Sequence, residues 1–303
     1  MAARARQRRA ARLERVLEYI DAHPGETFEV EFLSGLANIS PFHFHRVLSA
    51  YLGESVSAYV RRRTLERAAR RLLLDGASVT ACSASAGYAS SSAFARAFRR
   101  QFDVCPRDLA TRLRARRAAS AAYLPCGLEY RRLAPMEVVA IRRFGAHDQA
   151  APAAWSALQA SLHGAALEPG QTLYLGVPSD WPELTPEPLR RYEACARADL
   201  PPSAELFAKH IAGGDYAVFQ YCGPFAGLPA AHQAVLWSWY PRSGTRLREV
   251  PAFHLLTDPS ACTRPDADVV GEIFLPIERP ATSRARVGQA VLARTATAFS
   301  VFA

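Results

Sequence analysis

The chain has 303 residues, half of them apolar and 21% charged, with a net charge of +9. That length suits two globular domains at roughly 100–200 residues each, and no run approaches the ~18–20 consecutive apolar residues of a membrane-spanning helix. Six cysteines, Cys82, Cys105, Cys126, Cys195, Cys222 and Cys262, form no C-x-x-C pair and no zinc or disulfide spacing, so they read as thiols of a reducing cytoplasm.

The basic N-terminus leads into Leu13, Val16, Leu17 and Ile20, an amphipathic helix without the apolar centre of a signal peptide. Val30, Leu33 and Leu36, with the small Ser34, Gly35 and Ala37, then form a short helix that another can approach closely. Asn38 tolerates the left-handed turn that follows. Ser40 caps a second helix with Pro41 at its first position, where a missing N–H costs nothing. Phe44, Val47, Leu48 and Tyr51 fall on its buried stripe, which leaves Phe42, Arg46 and, at the edge, His45 facing outward. The amphipathic run from Val56 to Leu74 predicts a long, rigid spacer helix. The plan then repeats: Val79 to Ala86, a turn at Gly87 and Tyr88, and a helix capped near Ser90. Its stripe is Phe94, Ala97 and Phe98, and its outward face holds Ser91, Ser92, Arg96 and Arg99. Two helix-turn-helix units on one spacer imply two reading heads for successive major grooves, which lie about 34 Å apart.

Charge points the same way. Residues 1–118 carry 21 arginines against 11 carboxylates, a net of +10, whereas residues 119–303 carry 16 basic and 17 acidic groups, a net of −1. Segregation of this kind suits a partner with a phosphate backbone, double-stranded DNA.

These residues resemble the AraC-type transcription regulators. The ordered matches are Ser40-Pro41-Phe42-His43-Phe44-His45-Arg46, Leu65 to Leu73, Gly87-Tyr88-Ala89-Ser90, Phe94-Ala95-Arg96-Ala97-Phe98 and Phe102-Asp103-Val104-Cys105-Pro106. The resemblance implies a bipartite all-α DNA-binding domain over 1–115. Its DNA contacts would come from Phe42, His45 and Arg46 in one unit and from Ser91, Ser92, Arg96 and Arg99 in the other. Ala93 and Ala95 stand where some relatives carry polar residues, so the first head is expected to read sequence more sharply. Ser83 and Ser85 make the scaffold helix of the second unit more polar than the family norm; the alternatives are that they weaken its packing or that they face solvent.

A linker is expected over 116–126, after which the pattern changes to strands. The second half has a repeat of its own: Met136 to Gly145 aligns with Gly214 to Gly223, each an apolar run ending at glycine. A helix follows in each copy, Ala151 to Leu162 and Leu228 to Tyr240, and then a strand pair. Tyr174 corresponds to Phe253, and Glu193 to Glu272. Two β-α-β-β units about a pseudo-two-fold axis predict an α+β domain over 127–280 with a groove between sheets or helices. A tail, 281–303, has no assigned role.

This half resembles the GyrI-like effector-binding domain, on Tyr216 to Phe225, Arg191 to Cys195, Pro251 to His254 with Asp258-Pro259, and Glu272 to Ile277. The resemblance implies a small-molecule effector, mostly apolar and often cationic, and places Glu272 on the groove floor. An unpaired carboxylate on that apolar strand is costly. A ligand cation, an arginine from elsewhere in the core, or exposure at a strand edge would each relieve it. Tyr192, Trp181, Tyr221 and Phe253 are the aromatic candidates for the same groove.

Other constellations carry less. His43 and His45, two apart on a helix, diverge and make no metal site. No G-x-S-x-G, P-loop or G-x-G-x-x-G occurs, so neither a catalytic motif nor a cofactor is expected. The reading is a cytoplasmic, non-enzymatic regulator that binds DNA and a small molecule, with RNA polymerase a candidate partner. The alternatives are a GyrI-like hydrolase with Glu272 as base and Tyr192 as partner, or a protein-interaction module.

Overall fold

The computed structural model describes residues 2–23, 26, 28–109, 111, 126–163, 172–198, 206–264 and 266–278. Most of the expected linker, 116–125, and the tail 281–303 lie outside these. The chain divides into two compact units, Met1–Ser120 with Pro182–Leu189, and Ala121–Trp181 with Arg190–Ala303.

The helices of the first unit are α1 (Ala2–Ala22), α2 (Val30–Ala37), α3 (Pro41–Leu52), α4 (Val56–Leu74), α5 (Val79–Ser85) and α6 (Ser91–Phe102). Leu13, Val16, Leu17 and Ile20 are buried on α1, which packs on α2. Asn38 takes the left-handed conformation, at φ 51°, and closes α2. Ser55, Ser78 and Ser90 cap α4, α5 and α6 by accepting from Ala58, Ala81 and Ala93 N–H at 3.2, 3.1 and 3.2 Å. Ser40 has the extended cap backbone but makes no side-chain cap bond, so α3 relies on Pro41 at its first turn. On α5 the two serines part company: Ser83 is buried, while exposed Ser85 accepts from Arg71 Nη1 at 2.6 Å.

The spacer α4 runs unbroken for 19 residues, about 28 Å at ~1.5 Å per residue. It is pinned by ion pairs as well as by its apolar stripe. Arg62 Nη2 reaches Glu54 at 2.6 Å and its Nη1 reaches Glu66 at 2.9 Å, while Arg63 Nε reaches Asp21 on α1 at 3.0 Å. Continuous hydrogen bonding and cross-helix pairs together make α4 a stiff element.

The second unit is built on a nine-stranded antiparallel sheet of β1 (Cys126–Leu133), β2 (Met136–Phe144), β3 (Tyr174–Pro178), β4 (Arg191–Ala196), β5 (Phe207–Ile211), β6 (Gly214–Pro224), β7 (Arg246–Leu247), β8 (Phe253–Leu256) and β9 (Asp268–Glu278). The order β1-β6-β9-β8-β3-β4-β2-β5 reads the same from either end under exchange of the repeats. The expected β-α-β-β units are present, β2-α7-β3-β4 and β6-α8-β8-β9, with α7 (His147–Leu162) and α8 (Leu228–Ala234). Each repeat also has a leading strand, β1 or β5, and these are exchanged: β1 pairs with β6, and β5 with β2. The helix expected over Leu228–Tyr240 is α-helical only to Ala234, then a π turn over Val235–Trp239 and a 3-10 turn over Tyr240–Arg242. Pro241, which lacks an N–H, interrupts the helical ladder there, and the widened turn sets Trp239 against Phe219, with ring centroids 5.0 Å apart.

Because strand side chains alternate, the sheet has two distinct faces. The helices cover one: Trp155 of α7 donates to Tyr192 of β4 at 3.0 Å, and His232 of α8 lies 5.7 Å from His254 of β8. The other carries the apolar cluster of Val138, Leu175, Val177, Tyr216, Val218, Phe253, Leu255 and Phe274.

Candidate DNA-reading helices and ligand site

In the first unit the expected contact residues stand free of the core. Phe42 is 87% exposed, a high value for a phenyl ring on a helix whose Phe44, Leu48 and Leu52 are buried. His45 and Arg46 are exposed beside it, and Arg46 Nη2 lies 3.2 Å from His43 Nδ1. On α6, Phe94 and Phe98 are buried while Ser92, Arg96 and Arg99 are exposed and Ser91 is half-buried. Each second helix therefore presents a serine near its start and an arginine further along, from a scaffold that buries the opposite stripe. The two differ in one respect: α3 adds a large exposed ring, whereas α6 offers alanines between its polar groups.

In the second unit the register places two carboxylates on the face away from the helices. Glu193 on β4 stands opposite Arg142 on β2, and Glu272 on β9 stands opposite Gln220 on β6. Glu193 is fully buried. Arg142 Nη2 reaches its Oε1 at 2.6 Å and Lys209 Nζ from β5 reaches its Oε2 at 3.0 Å. Burial alone would raise its pKa; Arg142, Lys209 and Arg191 outweigh that and hold it at about 2.

Glu272 is 6% exposed and is met by an arginine from elsewhere in the core, Arg131 on β1. Arg131 Nη1 and Nη2 donate to Oε2 and Oε1 at 2.7 Å each, and Gln220 Nε2 donates to Oε1 at 2.8 Å. Phe253 and Phe274 stack alongside at 4.6 Å, with Tyr216 edge-on to Phe253 at 5.4 Å. Glu272 and Phe253 thus share a face and a neighbourhood.

Tyr192 and Tyr221 do not join them. Tyr192 neighbours Glu193 in sequence and so points to the helix-covered face, where it is fully buried and burial raises its hydroxyl pKa well above the ordinary value. Its hydroxyl also occupies the space where a side chain at Gly176 would project, which keeps that position glycine. Tyr221, next to Gln220, is likewise on the helix side and donates to Pro224 O at 2.6 Å. Trp181 packs edge-on to Trp237 at 5.7 Å.

The helix-covered face holds a histidine group as well. His254 is buried with no hydrogen-bond partner for either ring nitrogen among the described residues; burial first, then His232 and His147, hold its pKa well below the usual histidine range. Burial brings His147 down to about 4 against the opposing pull of Asp148.

Arg131 and Lys209 were missed in the sequence, yet a signal for them exists: they are 78 residues apart, the same interval as Gly145 and Gly223. Extending the repeat backward by one strand pairs them.

Comparison with known proteins divides the chain at the same place. Residues 33–112 match a helix-turn-helix domain family and residues 128–278 match the GyrI-like small molecule binding domain. The uncharacterized HTH-type transcriptional regulator YbfP of Bacillus subtilis is 29% identical over 94 residues, 31% of this chain and 32% of that protein, so the chain spans about a third of that relative's length. The regulatory protein SoxS of Salmonella typhimurium is 27% identical over 101 residues, 33% of this chain and 94% of SoxS. Among solved structures, the EcmrR C-terminal domain aligns over 51% of this chain and 98% of that one, at 15% identity and a TM-score of 0.40. Among the described residues no helix is long and apolar enough to cross a membrane. Motif order, fold and family matches agree that the chain carries an AraC-type helix-turn-helix domain followed by a GyrI-like small-molecule-binding domain.

Proposed function

We propose that the chain is a one-component, cytoplasmic regulator of transcription that reads DNA with α3 and α6 and senses a small organic molecule against the carboxylate-bearing face of its sheet. The observation that carries the first half is the duplicated build: two second helices in one compact unit, each with an apolar stripe buried, Phe44 and Leu48 on α3 and Phe94 and Phe98 on α6, and an arginine exposed, within a segment of net charge +10. Phe42, His45 and Arg46 form the sequence-reading head, and Ser91, Ser92, Arg96 and Arg99 act more as a phosphate anchor. Gel-shift titration on promoter fragments tests this. Arg46→Ala should cost about 1–3 kcal/mol and relax sequence preference, whereas Arg96→Ala should weaken all sequences alike and lower the salt slope by about 1. Unchanged affinity in both variants would sink the assignment. RNA polymerase contact belongs to the same proposal and is tested by co-purification on promoter DNA.

The ligand half rests on Glu272 beside Phe253, Phe274 and Tyr216, a carboxylate among rings that suits a lipophilic organic cation. The hydrolase alternative has less support, because Tyr192 and Glu272 occupy opposite faces and the Tyr192 hydroxyl accepts from Trp155. Binding regulates only through unequal affinity for states that do and do not engage DNA.

A further inference from the structure

A ligand cation arriving at Glu272 meets a carboxylate that already has one. Arg131 grips both oxygens at 2.7 Å, and its guanidinium carbon lies 5.9 Å from the Phe274 ring centroid. A planar cation, bidentate to a carboxylate and near an aromatic ring, is the arrangement an amidine or guanidine ligand would adopt. We infer that Arg131 is a built-in competitor, whose guanidinium holds the cation seat at Glu272 until a lipophilic organic cation displaces it. The inference rests on the ligand-binding role proposed for this face.

Four observations separate this pair from an ordinary structural salt bridge. Arg131 lies on one outermost strand of the sheet, as its repeat counterpart Lys209 lies on the other, but its side chain is 22% exposed, whereas Lys209 and Arg142, which serve the equivalent Glu193, are 6% and 1% exposed. Arg131 has a second carboxylate to follow: its Nε and Nη2 reach Glu129 at 3.0 and 2.8 Å, and the Glu129 side chain is 57% exposed. Released from Glu272, the guanidinium keeps a partner at the sheet edge. Glu272 in turn keeps the Gln220 amide at 2.8 Å, and an incoming cation replaces the outgoing one, so no buried charge is stranded at any stage. Finally, β1 is irregular upstream of this point, with a register shift between Cys126 and Glu129 and Gly127 at φ +69°, so the regular ladder that holds Arg131 opposite Tyr216 begins only at Glu129.

β1 is the first strand after the segment that leaves the helical unit, and Arg131 lies five residues past its first residue, Cys126. Displacing Arg131 removes the side-chain bond between β1 and β9, two strands away in the sheet, and leaves β1 held by its backbone ladder to β6.

The test titrates the full chain with tetraphenylphosphonium and with benzamidine, followed by calorimetry. Arg131→Met should bind tetraphenylphosphonium at least about tenfold more tightly than the unaltered chain, because the competitor is gone. Glu129→Gln should weaken binding several-fold, because Arg131 loses its alternative partner, and Glu272→Gln should abolish it. Circular dichroism confirms folding, and Arg131→Lys, which cannot span both oxygens, serves as the milder variant and should fall between the two. If the probes bind in a Glu272-dependent way but Arg131→Met and Arg131→Lys bind no more tightly than the unaltered chain, the competitor is overturned and the ligand site survives. If neither probe binds any folded variant, the ligand reading itself is overturned.

Discussion

The two repeats of the sheet place a glutamate at the same position and solve its burial differently. Glu193 is enclosed by Arg142 and Lys209, whose side chains are 1% and 6% exposed. Among the described residues Glu272 has one cation, Arg131, shared with an exposed glutamate, and a neutral amide, Gln220, where the first repeat has Arg142. A buried carboxylate with two enclosed cations is fixed, since removing either leaves charge uncompensated in a poor dielectric. The proposed exchange depends on Arg131 being more exposed, at 22%, than its counterpart Lys209 on the opposite edge strand, at 6%. The difference teaches how, under the proposed ligand role, one copy of a duplicated site serves as scaffold while the other is left open to binding.

The largest expected effect breaks this comparison if it fails. Arg142→Met should destabilise the second unit by about 3 kcal/mol, at the lower end of the cost of stranding a buried partner, because Lys209 still reaches Glu193. Arg131→Met should cost only about 1 kcal/mol, because Glu272 keeps Gln220 and lies nearer water. All four tryptophans, Trp155, Trp181, Trp237 and Trp239, lie in the second unit, so tryptophan fluorescence during denaturant unfolding reports on it. Equal costs for the two variants would erase the distinction between a locked and an exchangeable carboxylate.

Acid should act on the two faces in succession. His147, with its folded pKa lowered to about 4, is neutral in the folded chain while the unfolded chain takes a proton near pH 6.5. Stability contributed there is complete above that value and falls as pH drops from about 6.5 toward 4. His254, held low by burial, acts in the same direction. Glu193, held at about 2, adds a second decline from about pH 4.5 downward, as the unfolded carboxylate protonates first. Fluorescence-detected unfolding across pH 3–7 should therefore show a slope above pH 5 that His147→Gln reduces and a lower one that it leaves. A profile flat above pH 5 in the unaltered chain would contradict the neutral histidine group.

Much of this is legible in the sequence. The α4 stripe ran from Val56 to Leu74 without an interrupting turn residue, and its ends fell where expected. The repeat in the second half, fixed by Gly145 and Gly223, located three strands and a helix in each copy. What escaped was decided by pairing between distant segments. The run Cys126–Leu133 alternates charge with apolar groups too weakly to announce a strand, and nothing local says that it pairs with β6 rather than with its own repeat. Arg131 therefore had no visible link to Glu272. The grouping of Tyr192 and Tyr221 with Glu272 rested on residue type. Strand alternation separates them, since each tyrosine is adjacent to a residue of the carboxylate face. Leu228–Tyr240 kept a helical spacing, but Pro241 and the packing of Trp239 on Phe219 widened its last turns.

The smallest expected effect sharpens the comparison most. Glu129 is largely exposed and its bonds to Arg131 compete with water, so Glu129→Gln should change the stability of the second unit by no more than about 0.5 kcal/mol. A charge that contributes so little to folding, yet changes cation binding several-fold, would mark Glu129 as a resting place for a displaced side chain rather than a part of the scaffold. A stability loss as large as that of Arg142→Met would instead join Glu129, Arg131 and Glu272 into one structural cluster, and the two repeats would then have solved their buried carboxylates in the same way.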